Sequence, residues 1–420
     1  LGAPWRGEGR ILLVEPRRLA ARASARRMAE TLGEAVGATV GFRVRMESVV
    51  SAATRIEVVT EGVFTRMILD DPELSATAAV LFDEFHERSL DGDFGLALAL
   101  ESAAVLRDDL RLLVMSATID GAQVAGLLGD APVVTSEGRA FPVETRHVAR
   151  VPAARFEDEV AAVVRRALAE EAGSILVFLP GQAEIRRVAE RLSGRLPAGV
   201  DVAPLYGALT APEQDRAIRP AAAGRRKVVL ATSIAETSLT IEGVRVVVDG
   251  GLARVPKYEP ATGLTRLETV RVSRAAADQR RGRAGRTEPG VCYRLWAEAQ
   301  TGALALYDRP EILEADLSGL ALDLAAWGAA DPAGLAFLDP PPAAAFAEAR
   351  ALLTRLGALD ADGRITAEGK ALARLPLHPR LAHMVHRGAA EGEAGLAGEV
   401  AVLVSEPGLG GDAVDLADRL

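Results

Sequence analysis

The sequence is short of cysteine and has no long apolar run, and each shortage excludes a class of protein. Its single cysteine, Cys292, has no partner for an internal disulfide, which favours a reducing, cytoplasmic setting. A membrane helix needs roughly 20 consecutive apolar residues. The richest candidate stretch, 317–338, is interrupted by Asp323, Asp331 and Pro332. We therefore expect no membrane association.

The chain also lacks an excess of positive charge. Its formal net charge is −9, and lysine occurs only at Lys227, Lys257 and Lys370, so nearly all cationic side chains are arginine. A protein that coats nucleic acid over its whole surface is usually basic. If this chain binds nucleic acid, it must do so in a local groove. Arginine suits such a groove because its planar fork matches phosphate oxygens.

Short apolar, β-branched runs alternate along the chain with longer alanine-rich stretches that indicate helices. Continuous apolar strands are typical of a parallel sheet buried on both faces, and strand–helix alternation indicates βαβ units. The pattern predicts two doubly wound α/β lobes, over residues 1–142 and 143–302. The predicted strands are 11–14, 58–60, 80–82 and 112–115 in the first lobe and 175–178, 202–205, 228–231 and 244–248 in the second.

The texture changes after residue 302, where helices and loops replace the strands. Residues 346–357 predict a helix that ends in glycine. Asp362-Gly363 then indicates a tight turn, and residues 366–369 open another helix. Helix, hairpin and helix in this order predict a small winged-helix domain over 303–373. The start of a helical domain follows over 374–420.

The strongest local signal is a carboxylate pair, Asp83 and Glu84, directly after a predicted strand. In an open α/β sheet that position is the carboxyl end of the strand, where ligands bind. Phosphoryl transfer uses such a pair, one carboxylate for Mg²⁺ and the other for the attacking water. The same residues would also serve as an ordinary helix cap with acidic residues in the first turn. By itself the pair leaves both interpretations open.

A second signal is the arginine-rich run 278–286, Asp-Gln-Arg-Arg-Gly-Arg-Ala-Gly-Arg. Its arginine density is too high for a packed helix interior. Guanidinium groups at this spacing can reach a polyphosphate and stabilise charge in a transition state. A solvated basic loop is the alternative.

Polar residues also follow several other predicted strands. They lie at 15–18 (Glu-Pro-Arg-Arg), 60–62 (Thr-Glu-Gly), 116–118 (Ser-Ala-Thr) and 231–241, a hydroxyl-rich stretch. Backbone amides and hydroxyls at strand ends can hold phosphates. Ordinary turn and capping chemistry explains each of them equally well when it is taken alone.

The order of these elements resembles the motifs of the DEAH/RHA family of superfamily 2 helicases, across nearly the whole chain. Residues 15–18 resemble motif Ia, 60–62 motif Ib, 83–86 motif II and 116–118 motif III. Residues 178–181, 231–241 and 279–286 resemble motifs IV, V and VI. Phe85, in Asp-Glu-Phe-His-Glu-Arg-Ser-Leu, indicates the bacterial HrpB subgroup. The resemblance implies RecA-like lobes that use ATP and Mg²⁺ and bind single-stranded RNA or DNA, and we expect a monomer.

We name residues 83–88 the acidic turn. The resemblance implies roles for three of them. Asp83 would hold Mg²⁺ through water, and Glu84 would bind at the same metal site and activate the water that attacks ATP. His86 would couple the turn to Ser116 and Thr118.

Further roles are implied on both lobes. Gln279, Arg283 and Arg286 would reach the γ-phosphate from the second lobe. The residues implied for the phosphates of the bound strand are Arg17, Arg18, Thr60 and Thr232. Those implied for the nucleotide or the cleft beside it are Ser238, Thr240 and Arg27, the last by stacking on the base.

The sequence departs from the family's pattern in three places. Ser233 stands where the family usually has asparagine, and Glu242 stands where aspartate is usual. No Gly-x-x-x-x-Gly-Lys-Ser/Thr run, the loop that cradles phosphates, occurs anywhere in the sequence. Two functions therefore remain: an ATP-driven helicase core, or a piece that binds nucleic acid without hydrolysing ATP. In the family this loop comes just before the strand at 11–14, so the resemblance implies a first lobe that is truncated at its front and a final helical domain that is also truncated. The chain by itself is expected to be inactive in hydrolysis.

Overall fold

The computed structural model describes residues 1–117, 121–136, 141–151, 153–236, 241–259, 262–405, 409, 411, 413 and 415–420. Two α/β lobes are followed by a small winged-helix domain and further helices, so the predicted fold class is confirmed. Among the described residues, none of the helices combines the length and apolar character that a bilayer crossing requires.

The first lobe is built on a six-stranded sheet. Its strands are β1 (Arg10–Glu15), β2 (Val40–Val44), β3 (Glu47–Val49), β4 (Ile56–Thr60), β5 (Thr77–Phe82) and β6 (Arg111–Val114). Its helices are α1 (Arg18–Thr31), α2 (Glu61–Asp70), α3 (Leu90–Val105) and α4 (Gly121–Leu127). The strand order is β3-β2-β4-β1-β5-β6, and only β3 is antiparallel to its neighbour. The carboxyl ends of β1, β4, β5 and β6 therefore share one edge, which collects the predicted motifs.

Two strands of this sheet lie outside the sequence prediction. In β2, Gly41 and Arg43 interrupt the apolar run, and every residue of β3 is exposed at the edge of the sheet. Neither strand therefore shows the continuous apolar signal of a buried parallel strand.

The second lobe repeats the parallel arrangement and adds a hairpin. Its strands are β7 (Val143–His147), β8 (Ser174–Phe178), β9 (Val200–Leu205), β10 (Arg226–Ala231), β11 (Val244–Asp249), β12 (Leu252–Glu259), β13 (Leu264–Arg271) and β14 (Gly290–Arg294). Its helices are α5 (Phe156–Glu170), α6 (Gln182–Leu192), α7 (Ala211–Ile218) and α8 (Arg274–Gly282). The sheet order is β7-β14-β11-β8-β10-β9, while β12 and β13 pair only with each other.

Helices dominate the rest of the chain: α9 (Ser318–Trp327), α10 (Ala343–Arg355), α11 (Ala367–Ala373), α12 (Pro379–Ala390) and α13 (Ala394–Ser405). The predicted hairpin lies between α10 and α11, where Leu359 and Ile365 form an antiparallel bridge. The Thr366 hydroxyl caps α11 by accepting the Gly369 N–H at 3.0 Å. These elements give the helix, hairpin and helix of a winged-helix domain.

The winged-helix domain shares a core with the first lobe. Leu320 and Leu353 belong to the same buried cluster as Phe94 of α3. The ring of Phe94 stacks on Phe337 with centroids 6.4 Å apart. The indole N–H of Trp327 donates to Glu101 at 2.5 Å, also on α3. The domain is therefore docked on the helix that follows the acidic turn.

The two lobes meet through α1 and α7. Arg22 donates to the Gln214 side-chain oxygen at 3.2 Å, and Arg26 forms an ion pair with Asp215 at 3.1 Å. Arg22 and Arg26 are four residues apart, so they lie on one face of α1. These contacts hold the sheets so that the motifs at their edges face one cleft.

Candidate active site

The acidic turn lies at the carboxyl end of β5, held between the neighbouring strands. The backbone N–H of Asp83 donates to Val14 O at 2.9 Å, and that of Phe85 donates to Met115 O at 3.0 Å. Glu84 adopts a left-handed backbone conformation, with φ 50° and ψ 33°. A non-glycine residue in this region costs on the order of 1 kcal/mol and persists only where its surroundings hold it. The turn is thus a shaped feature and not a regular helix start.

Burial and a neighbouring like charge both act on Asp83, the first carboxylate of the pair. Burial and the nearby Glu84 raise the pKa of Asp83, while the Glu84 N–H and His86 act in the opposite direction. The Glu84 N–H donates to Asp83 Oδ1 at 2.8 Å. Carboxylate oxygens are the hard donors that Mg²⁺ prefers. In the described part of the chain no group of three His, Cys, Asp or Glu could hold a metal ion, so Mg²⁺ here would need phosphate oxygens and water as well.

His86 connects this turn to two other elements. Its Nδ1 accepts the Ala117 N–H at 3.2 Å, within the Ser-Ala-Thr segment after β6. Its Nε2 lies 2.6 Å from the side-chain amide nitrogen of Gln279 and 3.4 Å from Glu84 Oε2. Gln279 belongs to α8 of the second lobe. A single imidazole therefore touches the acidic turn, the strand end beside it and the opposite lobe.

The helix α8 and the turn after it also carry the arginines of the second lobe. Burial and the neighbouring Arg286 lower the pKa of Arg283 to about 9, against the opposing pull of Glu84. Burial likewise lowers the pKa of Arg286, again opposed by Glu84. Two neighbouring guanidinium groups that repel one another, one of them buried, suit an anion with several negative charges. A triphosphate between the lobes would meet this requirement.

A buried ion-pair network around Arg280 holds α8 in place. Its guanidinium donates to Glu236 Oε1 at 2.6 Å and to Asp249 Oδ1 at 2.8 Å. It also lies 4.9 Å from the centroid of the Phe178 ring. Because Arg280 directly follows Gln279, this network determines how α8 presents its polar residues to the first lobe. The sequence run gave no reason to separate Arg280 from its neighbours.

Several predicted residues fall outside this cluster. Thr118, Ser238 and Thr240 lie outside the described residues. Ser116 lies directly beside Ala117, whose N–H bonds to His86. Arg27 is exposed on α1. Its predicted stacking on a base stays a prediction.

Predicted strand-binding residues line two clefts on the same side of the molecule. The interlobe cleft, about 420 Å³, is bordered by Arg17, Arg18, Arg22 and Arg45 of the first lobe and by Gly207 and Ile234 of the second. A larger cleft, about 840 Å³, separates the first lobe from the winged-helix domain; we name it the domain cleft. Arg18 and Arg45 border both clefts, so the two are continuous. Thr60 lines the domain cleft, and Thr232 begins the short turn that carries Ile234.

Arg17 already has partners within the protein. Its guanidinium forms an ion pair with Glu87 at 3.0 Å and bonds to the carbonyl oxygen of Ser233, across the lobes. Burial acts to lower the pKa of Arg17, but Glu87 and Glu236 raise it overall. Arg17 therefore links the acidic turn to the second lobe, a role that its predicted contact with strand phosphates did not include.

The motifs missed three other arginines at the domain cleft: Arg43, Arg45 and Arg66. A signal for two of them does exist in the sequence. Arg43 and Arg45 alternate with the buried Phe42 and Val44, and period-two alternation places them on the opposite face of a strand. Acidic residues, Glu61, Asp91 and Asp323, line the same cleft.

Two family models match the chain. The model described as "Helicase conserved C-terminal domain" matches residues 158–288. The model described as "Helicase associated domain (HA2), winged-helix" matches residues 349–377. The first match covers most of the second lobe, including α8, and the second covers the hairpin and α11.

Named relatives share sequence over most of the chain. ATP-dependent RNA helicase HrpB of Escherichia coli (strain K12) is 51% identical over 399 residues, which are 95% of this chain and 49% of that protein. Probable ATP-dependent RNA helicase DHX34 of Mus musculus is 38% identical over 88% of this chain and 33% of its own length. Pre-mRNA-splicing factor ATP-dependent RNA helicase prp22 of Schizosaccharomyces pombe is 39% identical over 88% of this chain and 32% of its own length. The chain thus spans from a third to a half of these proteins.

Solved structures share the fold. A crystal structure of the Escherichia coli DEAH/RHA helicase HrpB has a TM-score of 0.92 at 50% identity, over 98% of this chain and 53% of that one. A crystal structure of the E. coli DExH-box NTPase HrpB has a TM-score of 0.84 at 52% identity, over 95% and 49% of the two chains. The similarity therefore includes both lobes and the winged-helix domain.

Proposed function

The chain belongs to the DEAH/RHA helicase family, in its HrpB subgroup, and we propose that it forms the motor core of an ATP-driven helicase. The observation that carries this proposal is the contact of His86 with Gln279 at 2.6 Å. It joins the acidic turn of the first lobe to the helix that presents Arg283 from the second. A hydrolysis site divided between two lobes is open or assembled according to how far the lobes are apart.

In this proposal ATP lies between the acidic turn of the first lobe and the arginines that follow α8 in the second lobe. Asp83 would hold Mg²⁺, and Glu84 would orient and deprotonate the water that attacks the γ-phosphate. Bound Mg²⁺ would neutralise part of the charge on the phosphates. Arg283 and Arg286 would stabilise the charge that develops in the transition state. His86 would link Gln279 of the second lobe to the acidic turn. The lowered pKa values of both arginines support an anionic ligand at this place.

We propose single-stranded RNA as the substrate, since the relatives' names all specify RNA helicases. The strand would follow the domain cleft and the interlobe cleft, where Arg18 and Arg45 border both. Contacts would be to phosphates, so sequence preference should be weak. Opening and closing of the lobes would then move the motor along the strand. We further propose that the protein acts as a monomer in the cytoplasm.

A second function is supported by one observation, the lack of a Gly-x-x-x-x-Gly-Lys-Ser/Thr run in the sequence. Without backbone amides and a lysine around the β- and γ-phosphates, ATP has half a site. The 420-residue chain alone would then bind nucleic acid without hydrolysing ATP.

Phosphate release from ATP, measured with and without single-stranded RNA or DNA, tests both functions. The assay compares the 420-residue chain with a version extended upstream by its own coding sequence. We expect strand-stimulated turnover only in the extended version. Glu84→Gln in that version should still bind ATP and Mg²⁺, because Asp83 remains, and should lose turnover by orders of magnitude. Robust turnover by the short chain, abolished by Glu84→Gln, would exclude the second function.

A further inference from the structure

The far end of the acidic turn is held by Arg88. Like Glu84, Arg88 has a left-handed backbone, with φ 49° and ψ 44°. Its guanidinium makes two hydrogen bonds to Asp93 in α3, at 3.0 and 2.9 Å. The residues between the two left-handed positions include His86. The turn therefore depends on what fixes Arg88, because such backbone conformations persist only where the surroundings impose them.

Part of what fixes Arg88 comes from outside the first lobe. Arg88 Nη2 also donates to Asp339 Oδ2 at 2.7 Å, between α9 and α10 of the winged-helix domain. The Arg88 carbonyl accepts the Glu311 N–H at 3.0 Å, and Glu311 Oε2 accepts the Leu90 N–H at 2.8 Å. Three bonds thus tie the turn and its following helix to the winged-helix domain and to the residues just before α9.

The winged-helix domain also borders the domain cleft. Leu322 and Asp323 of α9 line the cleft, as do Leu377 and His378 before α12. A strand in this cleft would touch the same domain that holds Arg88 through Asp339. A shift of the domain would reach the backbone of Arg88 directly, two residues from His86.

We propose that Asp339 is a positioning residue that couples occupancy of the domain cleft to the geometry of the acidic turn. The inference rests on the proposed function, since it assumes that a nucleic-acid strand enters this cleft. Asp339 acts through Arg88 and touches no reacting atom. Through this pair, a bound strand favours one arrangement of Glu84 and His86, and that arrangement raises turnover.

The structure allows this coupling role to be distinguished from a contact that only stabilises the fold. In Asp339→Asn the guanidinium of Arg88 keeps both bonds to Asp93, which is buried at 3% exposure. The Asp339 side chain is 41% exposed, and exposed ion pairs add little to stability. The variant should therefore fold normally and retain strand-free turnover. A matched control is Asp362→Asn, which removes the same charge from the hairpin of the winged-helix domain.

Two measurements test the inference. On the 420-residue chain, hydrogen exchange of the amides of residues 85–90 is followed with and without a single-stranded uridine 20-mer, whose binding is measured by fluorescence anisotropy. On the upstream-extended version, ATP turnover is measured with and without the same strand. We expect the strand to slow exchange in the turn and to stimulate turnover. Asp339→Asn should reduce both effects about five-fold or more, the scale of a typical coupling between sites, with strand affinity and melting temperature little changed.

Each other result counts against the inference. Equal protection and stimulation in Asp339→Asn and the wild type would overturn it. A lower melting temperature together with weaker strand binding and weaker stimulation would also overturn it, because that pattern indicates a contact that only stabilises the fold. Asp339→Glu keeps the carboxylate and should restore part of the coupling; no restoration would also contradict the role. If the strand binds without changing exchange in the turn, only the inference fails. If no strand binds, the proposed function fails first.

Discussion

Arg283 is the residue whose environment most clearly favours an anionic ligand. Burial and Arg286 lower its pKa to about 9, while Glu84 is the first carboxylate that opposes them. A guanidinium is costly to desolvate unless an anion compensates it. Its planar fork can hold two phosphate oxygens at once, whereas an ammonium group meets them as a point charge. This difference allows the role of Arg283 to be tested without changing its charge.

Arg283→Lys in the upstream-extended version should lower strand-stimulated turnover by about 100-fold or more, on the scale reported for arginines that stabilise phosphoryl transfer. Strand affinity without nucleotide should change little, because Arg283 does not line either of the two clefts. The matched control is Arg281→Lys, two residues earlier, where the arginine is partly exposed and 3.8 Å from Asp278. Normal turnover in Arg283→Lys would make this arginine a structural charge only.

At this scale the sequence predicted residue types better than residue partners. The contact of His86 with Gln279 of the opposite lobe was not predicted, since the resemblance coupled His86 to Ser116 and Thr118. The partners of Arg17 do not follow from the sequence either, because Glu87 is 70 residues away and Ser233 is 216 residues away. No local pattern encodes such pairs. They exist only once the two sheets are in place.

Among the elements, helix α8 depends on one buried cation. Arg280 is fully buried with Glu236 and Asp249 as its partners. Burial acts to lower the pKa of Arg280, and both carboxylates raise it well above its usual range. Removing one member of a buried ion pair costs about 3–5 kcal/mol, since the remaining charge is left uncompensated.

Arg280→Met should therefore destabilise the second lobe by about 3–5 kcal/mol. The measurement is urea unfolding followed by tryptophan fluorescence, since Trp296 is buried in this lobe. Arg281→Met is the control, and a surface change of this kind should stay within about 0.5 kcal/mol. Equal effects of the two substitutions would mean that the network around Arg280 adds nothing beyond packing.

The start of α2 carries a carboxyl group with an unusual titration. Burial raises the pKa of Glu61 to about 8, even though the Ser89 hydroxyl, which donates to Glu61 Oε2 at 2.6 Å, acts to lower it. In the unfolded chain the same group titrates near 4.5. Between these two values the folded protein keeps a proton that the unfolded chain has released. The stabilising effect is thus complete below pH 4.5 and is lost as pH rises towards 8.

Glu61→Gln should remove this pH dependence and make the protein more stable at pH 9. One pKa unit corresponds to about 1.4 kcal/mol, and the partial exposure of Glu61 reduces this effect. We therefore expect the free energy of unfolding of Glu61→Gln, relative to the wild type, to be higher by about 1–2 kcal/mol at pH 9 than at pH 6. Urea unfolding at both pH values provides the measurement. Glu30→Gln, on the exposed face of α1, is the control and should not alter the pH profile. A Glu61→Gln profile parallel to that of the wild type would place this carboxyl group in contact with water.

Elements with a continuous apolar core could be predicted, and elements defined by pairing could not. The strand β8 is buried at all five positions and was predicted at nearly its full length. The strand β7 has the sequence Val-Glu-Thr-Arg-His and no fully buried residue. It forms because β14 offers it a parallel partner. The hairpin of β12 and β13 is likewise held by its own pairing, with most side chains exposed.

For the molecule as a whole, a chain with net charge −9 can attract a polyanion only where its arginines are gathered. The two clefts provide such a place, since Arg18 and Arg45 border both and Arg22 and Arg66 border one each. Glu61, Asp91 and Asp323 line the domain cleft beside them. Mixed charges of this kind allow phosphate contacts without the tight, immobile binding that would stop a motor. The domain boundaries drawn from the sequence stay predictions, because the first lobe and the winged-helix domain share one core.

Strand affinity should therefore fall steeply with salt and vary little between unrelated sequences of equal length. Each phosphate of a single strand that an arginine neutralises contributes about −0.7 to the slope of log affinity against log salt concentration. Arg18→Gln should make the slope shallower by about 0.7, because Arg18 is exposed and borders both clefts. Arg364→Gln, an exposed arginine paired with Asp362 on the hairpin of the winged-helix domain, should leave the slope unchanged. Fluorescence anisotropy with labelled uridine and mixed-sequence 20-mers, at several salt concentrations, gives both quantities. Binding that ignores salt but selects one sequence would rule out a motor that moves along the backbone, since such a motor must release every phosphate that it holds.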